Sequence, residues 1–295
     1  MNLKDCLITS RQQLKLAAFP TRLSDKKSGK ETLKKRLEKD IEAISKLQNK
    51  LFAENRQSLL ILFQGMDSSG KDSAIKHIMR GVNPQGVSVT SFKHPSEVEL
   101  EHDYLWRHAQ KMPEHGQIAI FNRSHYENVL ISKVHPDIVL AERLPSVLKL
   151  KDVNPKFWEL RYRQINYFEK RNSENGTYIL KIFLHLSKKE QCKRFIERLE
   201  NREKYWKFSS SDMVERHYWK EYQDAYEQAI RNTSSKHAPW YIIPADNKLT
   251  ARILISKIIL ETLKHMNPSF PTIDKKEKEL MKKEKMQLVN EGNIR

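Results

Sequence analysis

At 295 residues the chain is long enough to bury a full α/β core, as one large domain or two small ones. With 38% hydrophobic and 31% charged residues and a mean hydropathy of -0.72, it has a water-facing composition, and no apolar run approaches the roughly 20 residues of a bilayer-spanning helix. The surplus of 54 Lys+Arg over 37 Asp+Glu, a formal charge of +17, selects for anionic partners without choosing among them.

The opening residues offer neither a long apolar stretch nor a small-residue cleavage site, so a cytoplasmic protein is expected. Through Phe19-Pro20-Thr21-Arg22-Leu23 they show no strong period and read as an extended lead-in. Over 30–51, Leu33, Leu37, Ile41, Ile44 and Leu47 recur at three- and four-residue steps, the pattern of an amphipathic helix. Ser58 to Phe63 is an unbroken apolar run suited to a strand buried on both faces of a parallel sheet. A helix over 73–79 completes a strand-loop-helix unit.

Residues 86–92, 117–121, 178–186 and 240–244 read as four further strands. Strands alternating with helical stretches predict an α/β fold, a parallel sheet with helices on both faces. The charged, aromatic-rich stretch 188–232 fits a helical excursion outside that sheet, and 250–265 a last amphipathic helix. After Pro271 the chain turns to Lys and Glu, a solvated helix or a frayed tail. Cys6 and Cys192 are far apart and form no CxxC pair, so both are expected to be reduced bystanders.

Directly after the first buried strand stands Gly65-Met66-Asp67-Ser68-Ser69-Gly70-Lys71-Asp72, which matches G-x-x-x-x-G-K and misses only the final Ser/Thr. The glycines let the backbone curl so that successive N–H groups face inward, and the following helix adds its positive end. Gly65, Ser68, Ser69 and Gly70, with Asp72 and Ser73 at the helix start, are therefore candidates for phosphate and nucleotide binding. Lys71 would reach the bridging and terminal oxygens of a transferring phosphoryl group. Asp67 places a carboxylate inside the loop, where it suits a hard cation. Strand 117–121 is followed by Asn122-Arg123-Ser124-His125-Tyr126-Glu127. P-loop proteins commonly place a magnesium-holding acid at the end of such a strand. Here Asn122 can ligate only through its amide oxygen, and Arg123 offers a planar fork for phosphate.

At these two motifs the sequence resembles the polyphosphate kinase 2 family. The likeness extends through Asn83-Pro84-Gln85-Gly86, Ser91-Phe92-Lys93-His94-Pro95, Tyr205-Trp206-Lys207-Phe208, and Ala238-Pro239-Trp240 through Asn247-Lys248. The resemblance implies a thymidylate-kinase-like P-loop fold with a helical lid at about 188–232, and Mg²⁺ dependence. It also implies a basic channel for inorganic polyphosphate and assembly into a dimer or tetramer. Position by position, Asp67, Lys71 and Arg123 match the family's catalytic residues. Asn122 stands where many members carry a metal-binding Asp, so Asp67 and Asn122 are the metal candidates, and the setting resembles the subgroup accepting both AMP and ADP. Glu127 joins the nucleotide-binding set.

Lid candidates are Lys193, Arg194, Arg198, Arg202 and Lys207. Arg198 is the first choice for catalysis and Arg194, one helical turn away, the second. A lid arginine of this kind is worth on the order of 10³-fold or more in rate. Lys93 and Arg107 are channel candidates, and His125 reads as a satisfied structural histidine. The organisation expected is a lead-in and helix (1–55), a P-loop domain with its lid (56–268) and a charged tail (269–295).

The expected activity is phosphoryl transfer between polyphosphate and ADP or AMP, with ATP as product or reactant and no nucleic-acid or membrane partner. Two alternatives stay open. One is an ATP-dependent nucleotide or small-molecule kinase sharing the same loop. The other is a basic nucleic-acid binder with a vestigial P-loop, although no helix-turn-helix, zinc or RNA-binding signature is present.

Overall fold

The structure, a computed structural model, describes residues 3–8, 14–23 and 29–292. Its centre is a six-stranded sheet in the order β1-β6-β5-β2-β4-β3. The strands are β1 (Leu7–Ile8), β2 (Ser58–Gln64), β3 (Val87–Ser91), β4 (Ile118–Asn122), β5 (Thr177–His185) and β6 (Trp240–Pro244). β2 to β6 are parallel and agree with the five strands read from the sequence to within one residue at each end. β1 corrects the extended lead-in: Leu7 and Ile8 pair antiparallel with Tyr241 and Trp240, so the sheet is mixed at that edge. Two residues are too few to show an alternating pattern.

Helices α1 (Lys30–Glu54) and α2 (Lys71–Ile78) flank β2. Four single turns, α3 (Glu97–Leu100), α4 (Trp106–Ala109), α5 (Ile131–Val134) and α6 (Asp137–Leu140), and the long α7 (Pro155–Glu174) lie between β3 and β5, on either side of β4. α8 (Lys188–Glu200), α9 (Ser210–Glu215) and α10 (Trp219–Thr233) connect β5 to β6, and α11 (Lys248–Met266) and α12 (Lys275–Gly292) come after β6.

Because successive side chains of a strand point to opposite faces, β2 serves two cores at once. Leu59, Ile61 and Phe63 join the core under α1, α2 and α11, with Ile44, Leu51, Ile75, Ile78, Leu254 and Ile258. Leu60 and Leu62 join the opposite core, with Trp158, Tyr162 and Ile165 of α7 and Tyr222, Tyr226 and Ile230 of α10. The result is three layers, helix, sheet and helix. It narrows the expected excursion, because α10 belongs to a packed layer and only 188–218 lies outside it. α7 has no counterpart among the expected elements, although Asn154 caps its first turn by accepting from Lys156 N and Phe157 N, and Pro155 opens it. α12 gives the tail as a helix with no buried residue. Among the described residues no helix is long and apolar enough to cross a membrane.

One core holds charge. Lys181 of β5 and Glu169 of α7 are fully buried and meet at 2.5 Å. Lys181 also donates to Tyr126 Oη and Thr233 O, and Tyr126 Oη donates to Glu169 at 2.7 Å. His125 lies 3.4 Å from the same carboxylate. His125 is thus a buried member of a structural network, and that network ties the segment after Arg123 to the sheet.

Candidate active site

The loop 65–70 leaves the C-terminal end of β2 and feeds α2. Gly65 has φ +151, and a Cβ there would lie 2.8 Å from Ser69 Oγ and 3.0 Å from Leu184 O, so both conformation and space demand glycine. Gly70, at φ +101, is required by conformation alone. Ser68 is left-handed without being glycine, at φ 60. A turn from Ser69 N to Met66 O closes the loop. Ser69 Oγ is buried and has no hydrogen-bond partner.

Lys71, expected to face a phosphate, is buried and folded back on the loop, its Nζ donating to Gly65 O at 2.6 Å and more weakly to Met66 O. Burial pushes its ammonium down to about 8, with Arg123 adding to the shift and Asp67, Glu127 and Asp72 opposing it.

Arg123 comes directly after β4 with φ 63, a left-handed backbone that a long side chain rarely adopts. Its amide donates to Phe63 O, and its guanidinium bridges two carboxylates, Asp67 at 2.7 Å and Glu127 at 3.4 Å. Those carboxylates, Glu127 foremost, raise its affinity for the proton above the usual arginine range against the opposing effect of burial. Asn122 donates to Asp72 at 2.8 Å and to Ser91 at 3.3 Å, which leaves its buried Oδ1 without a partner. Asp72 thus stands beside β4, while Ser73, the next residue, accepts from Arg252 of α11 at 2.8 Å.

The two lid arginines separate. Arg194 is buried and spends its guanidinium on backbone, donating to Ser68 O, Ser69 O, Ala245 O and Asp246 O. Its Nε is held by Glu190. It braces the loop from its own side of the sheet and, in this conformation, has no donor left for phosphate, which corrects its expected role as a phosphate contact. Arg198 reaches the loop: Nη2 donates to Ser68 Oγ at 2.7 Å and Nη1 to Asp212 of α9 at 2.8 Å. Lys193 and Arg202 are exposed, and the side chain of Lys207 lies outside the described residues.

Lys93 and Arg107 do come together, but unequally. Arg107 donates to Lys93 O at 2.7 Å and pairs with Glu99 at 3.1 Å, so it pins the loop that carries the exposed Lys93. As a corrected channel candidate, Arg107 supports a neighbour and does not stand free. Cys6 is buried, and that burial raises its thiol to about 11; Cys192 is exposed.

Three residues near the site lie outside the candidates drawn from sequence. Asp212 is held above the usual carboxylate range, by burial first and then by the nearby charge of Asp67. Tyr226 of α10 is buried and its phenol is raised by that burial and by Glu127. Gln191 donates to Asp67 O at 3.0 Å. None has a local motif; Asp212 and Tyr226 come from different helices and meet the loop only through packing.

A glycine-cornered loop at the end of a central parallel strand, opening a helix and faced by converging arginines, defines the class: an α/β kinase of the P-loop type. Comparison with known proteins refines this. The family model "Polyphosphate kinase 2" matches residues 27–271. An "ADP-polyphosphate phosphotransferase" of Rhodopseudomonas palustris is 46% identical over 271 residues, covering 92% of this chain and 93% of the relative. An "AMP/ADP-polyphosphate phosphotransferase" of Meiothermus ruber is 45% identical over 229 residues, 77% of this chain and 80% of that one. The crystal structure of polyphosphate kinase 2 from Arthrobacter aurescens TC1 superposes with a TM-score of 0.81 at 36% identity, covering 91% of this chain and 94% of the other. The chain belongs to the polyphosphate kinase 2 family.

Proposed function

We propose that this protein transfers a phosphoryl group between inorganic polyphosphate and ADP or AMP, with ATP among its products or reactants. The observation that carries the reading is the convergence of Lys71, Arg123 and Arg198 on one loop, where a buried ammonium meets Gly65 O and two guanidinium groups meet Asp67 and Ser68 Oγ. The names of the Rhodopseudomonas and Meiothermus relatives support the substrate pair.

In this reading Lys71 leaves the carbonyls of Gly65 and Met66 for the oxygens of the transferring group, and the amides around Gly70 take the adjoining phosphate. Arg123, fixed by Asp67 and Glu127, holds a second phosphate, and Arg198 neutralises charge that spreads over the transferring oxygens in a loose transition state. Asp67 supplies a carboxylate and Asn122 an orphaned amide oxygen. Among the described residues no cluster of three or more His, Cys, Asp or Glu is placed to cage a metal. That donor set fits Mg²⁺, which keeps several waters and takes one or two carboxylates together with substrate phosphates. Bound there, Mg²⁺ would offset the repulsion between phosphates. Ser69 and Ser73 complete the phosphate contacts, and Lys93 meets the polyphosphate at the edge of the site. The same reading includes a P-loop domain over 56–268, assembly as a dimer or tetramer, a cytoplasmic setting and no nucleic-acid partner.

The test is one incubation of purified protein with polyphosphate, Mg²⁺ and each of AMP, ADP, GMP and GDP, the products separated by chromatography. Appearance of a nucleotide one phosphate longer, with no other donor present, is expected. Turnover that requires ATP as donor, with none from polyphosphate, would overturn the reading in favour of an ordinary nucleotide kinase.

A further inference from the structure

The sheet ends differently at its two edges. At one, the two residues of β1 cap β6. At the other, β3 runs from Val87 to Ser91 in unbroken register with β4, and among the described residues no strand lies beyond it. Natural edge strands are commonly blunted by a charge, a proline or a bulge, because an open row of N–H and C=O groups is a template for another chain. Val-Ser-Val-Thr-Ser carries none of these devices, and Val89 at its middle is 51% exposed. The ladder fixes which groups are open. Phe92 N donates to Asn122 O, so residue 92 turns its backbone toward β4, and Thr90 and Ser88 share that direction. Val87, Val89 and Ser91 therefore turn theirs outward, and of these groups the Val87 N–H is taken by Pro84 O.

The flanks of the strand point to its occupant. The run that leads into β3, residues 76–86, holds Lys76 and Arg80, both exposed, and no acid. The run that follows it, residues 97–103, holds Glu97, Glu99, Glu101 and Asp103 and neither Lys nor Arg, an acidic stretch in a chain of formal charge +17. Glu99 and Glu101 hold Arg107 and Arg143, while Glu97 is exposed. A second copy laid parallel against β3 would set like charges side by side. Laid antiparallel, it sets each acidic flank beside a basic one, and the uncharged strand lets two basic molecules meet without repulsion at the centre. A five-residue pairing falls short of the roughly 1,200 Å² that a stable interface buries, so these flanks must meet as well. Phe52 of α1, 41% exposed and packed beside Gly86 at the head of the strand, adds apolar area on the face that carries Val89.

From this we infer that β3 is the interface of a two-fold dimer, pairing antiparallel with β3 of a second copy about Val89 so that the two sheets become one. Val89 exchanges N–H and C=O with the partner's Val89, and Ser91 N–H donates to the partner's Val87 O, the one group of Val87 left open. The inference rests on the assembly included in the function proposed above and names the face that assembly uses.

The experiment measures mass in solution by light scattering for wild type, Val89→Pro and Val89→Lys. Residue 89 donates nothing to β4, so proline there removes an outward donor and leaves the fold's own ladder intact. The mass is expected to halve in both variants. If Val89→Pro does not fold, Val89→Lys reads the same change by setting two ammonium groups across the axis. The register is read by oxidative cross-linking in a Cys192→Ser chain, whose remaining Cys6 is buried. Val89→Cys should close a disulfide between copies, because facing residues of such a pair have Cα atoms about 5.5 Å apart, within the roughly 4.4–6.8 Å that a disulfide spans. Ser91→Cys should not, since the same residue of the second copy lies about 14 Å further along the strands. A wild type with the single-chain mass of 34.9 kDa would overturn the inference. So would a mass unchanged in both residue-89 variants, which would keep the assembly and move it to another face, or equal cross-linking at 89 and 91. Neither readout needs turnover, so absence of phosphoryl transfer in wild type would count against the proposed activity and leave the interface to stand or fall on mass and cross-link.

Discussion

The loop 65–73 and the helices α8 to α10 face the same space, yet they are held there differently. The loop is nine consecutive residues pinned by its own turn, by two glycines in conformations closed to other residues, and by Arg194 behind it. The lid delivers Arg198, Asp212 and Tyr226 from three helices, and of these only Tyr226 sits in a packed layer. In the function proposed above, a phosphate cradle pinned in this way would stay preformed while Arg198, on a half-exposed helix, completes the site over bound substrate.

Substitutions can break that division. The largest effect is expected at the loop: Lys71→Ala should lower turnover by about 10³-fold or more, because a charge aimed at the transferring group is lost in a water-poor site. Asp67→Asn should do likewise, with both variants still folded by circular dichroism. Activity within about tenfold of wild type in either variant, read by ATP formation, would remove the loop from the chemistry. Next comes Arg198→Ala, expected to cost roughly 10² to 10³ in kcat, a larger effect on rate than on stability, since its contacts include the partly buried Asp212 and the Ser68 hydroxyl at the loop.

Arg194→Ala sharpens the contrast from the other side. It strips donors from four backbone carbonyls, so the loss should appear as stability, about 2–4 kcal/mol and several degrees in the thermal midpoint. A variant with wild-type stability and a purely kinetic defect would return Arg194 to the role the sequence suggested.

The smallest effect is a pH dependence. Lys71 titrates near 8 in the fold, below its ordinary 10.5, because burial disfavours its charge. The free enzyme should therefore lose kcat/KM as pH rises through about 8, and the residual activity of Lys71→Arg should lack that limb. For stability the sign is the reverse. Below pH 8 the ammonium is charged in both folded and unfolded chains and its full burial cost is present. Between 8 and 10.5 the folded protein releases the proton first and the cost is relieved. Lys71→Met should accordingly be more stable than wild type at pH 7, by a margin that shrinks toward pH 10.5 in denaturant titrations.

Legibility in the string of residues divides along the same line. β2, the loop and the start of α2 are legible because a doubly buried strand, a glycine pair and a helix start occupy adjacent positions, and the parallel strands show themselves as short apolar runs. Arg123 and Asn122 are legible as the residues at the exit of a buried strand, although nothing local reveals that Asn122 donates to Asp72. α7 carries its signals, Asn154-Pro155 and the spacing of Trp158, Tyr162 and Ile165, but its charged outer face dilutes the apolar one. Arg194 and Arg198 share a helix face and differ only in burial, which spacing cannot supply. Arg107 reads as a free cation until the fold places Glu99 and Lys93 O beside it. Asp212 has no signal, because its meaning comes from Asp67, far away in sequence.

The carbonyl contacts of Arg194 also carry a mechanical consequence. They bolt the first two turns of α8 to Ser68, Ser69 and the segment just after β6, while Arg198, one turn further on, touches the Ser68 hydroxyl of the loop. Arg198 is therefore carried one helical turn past a point fixed to the P-loop, and Arg216 ties the segment after α9 to the same anchored stretch through Lys188 O and Gln191 Oε1, so the reach of Arg198 over the loop is set by the length of its own side chain.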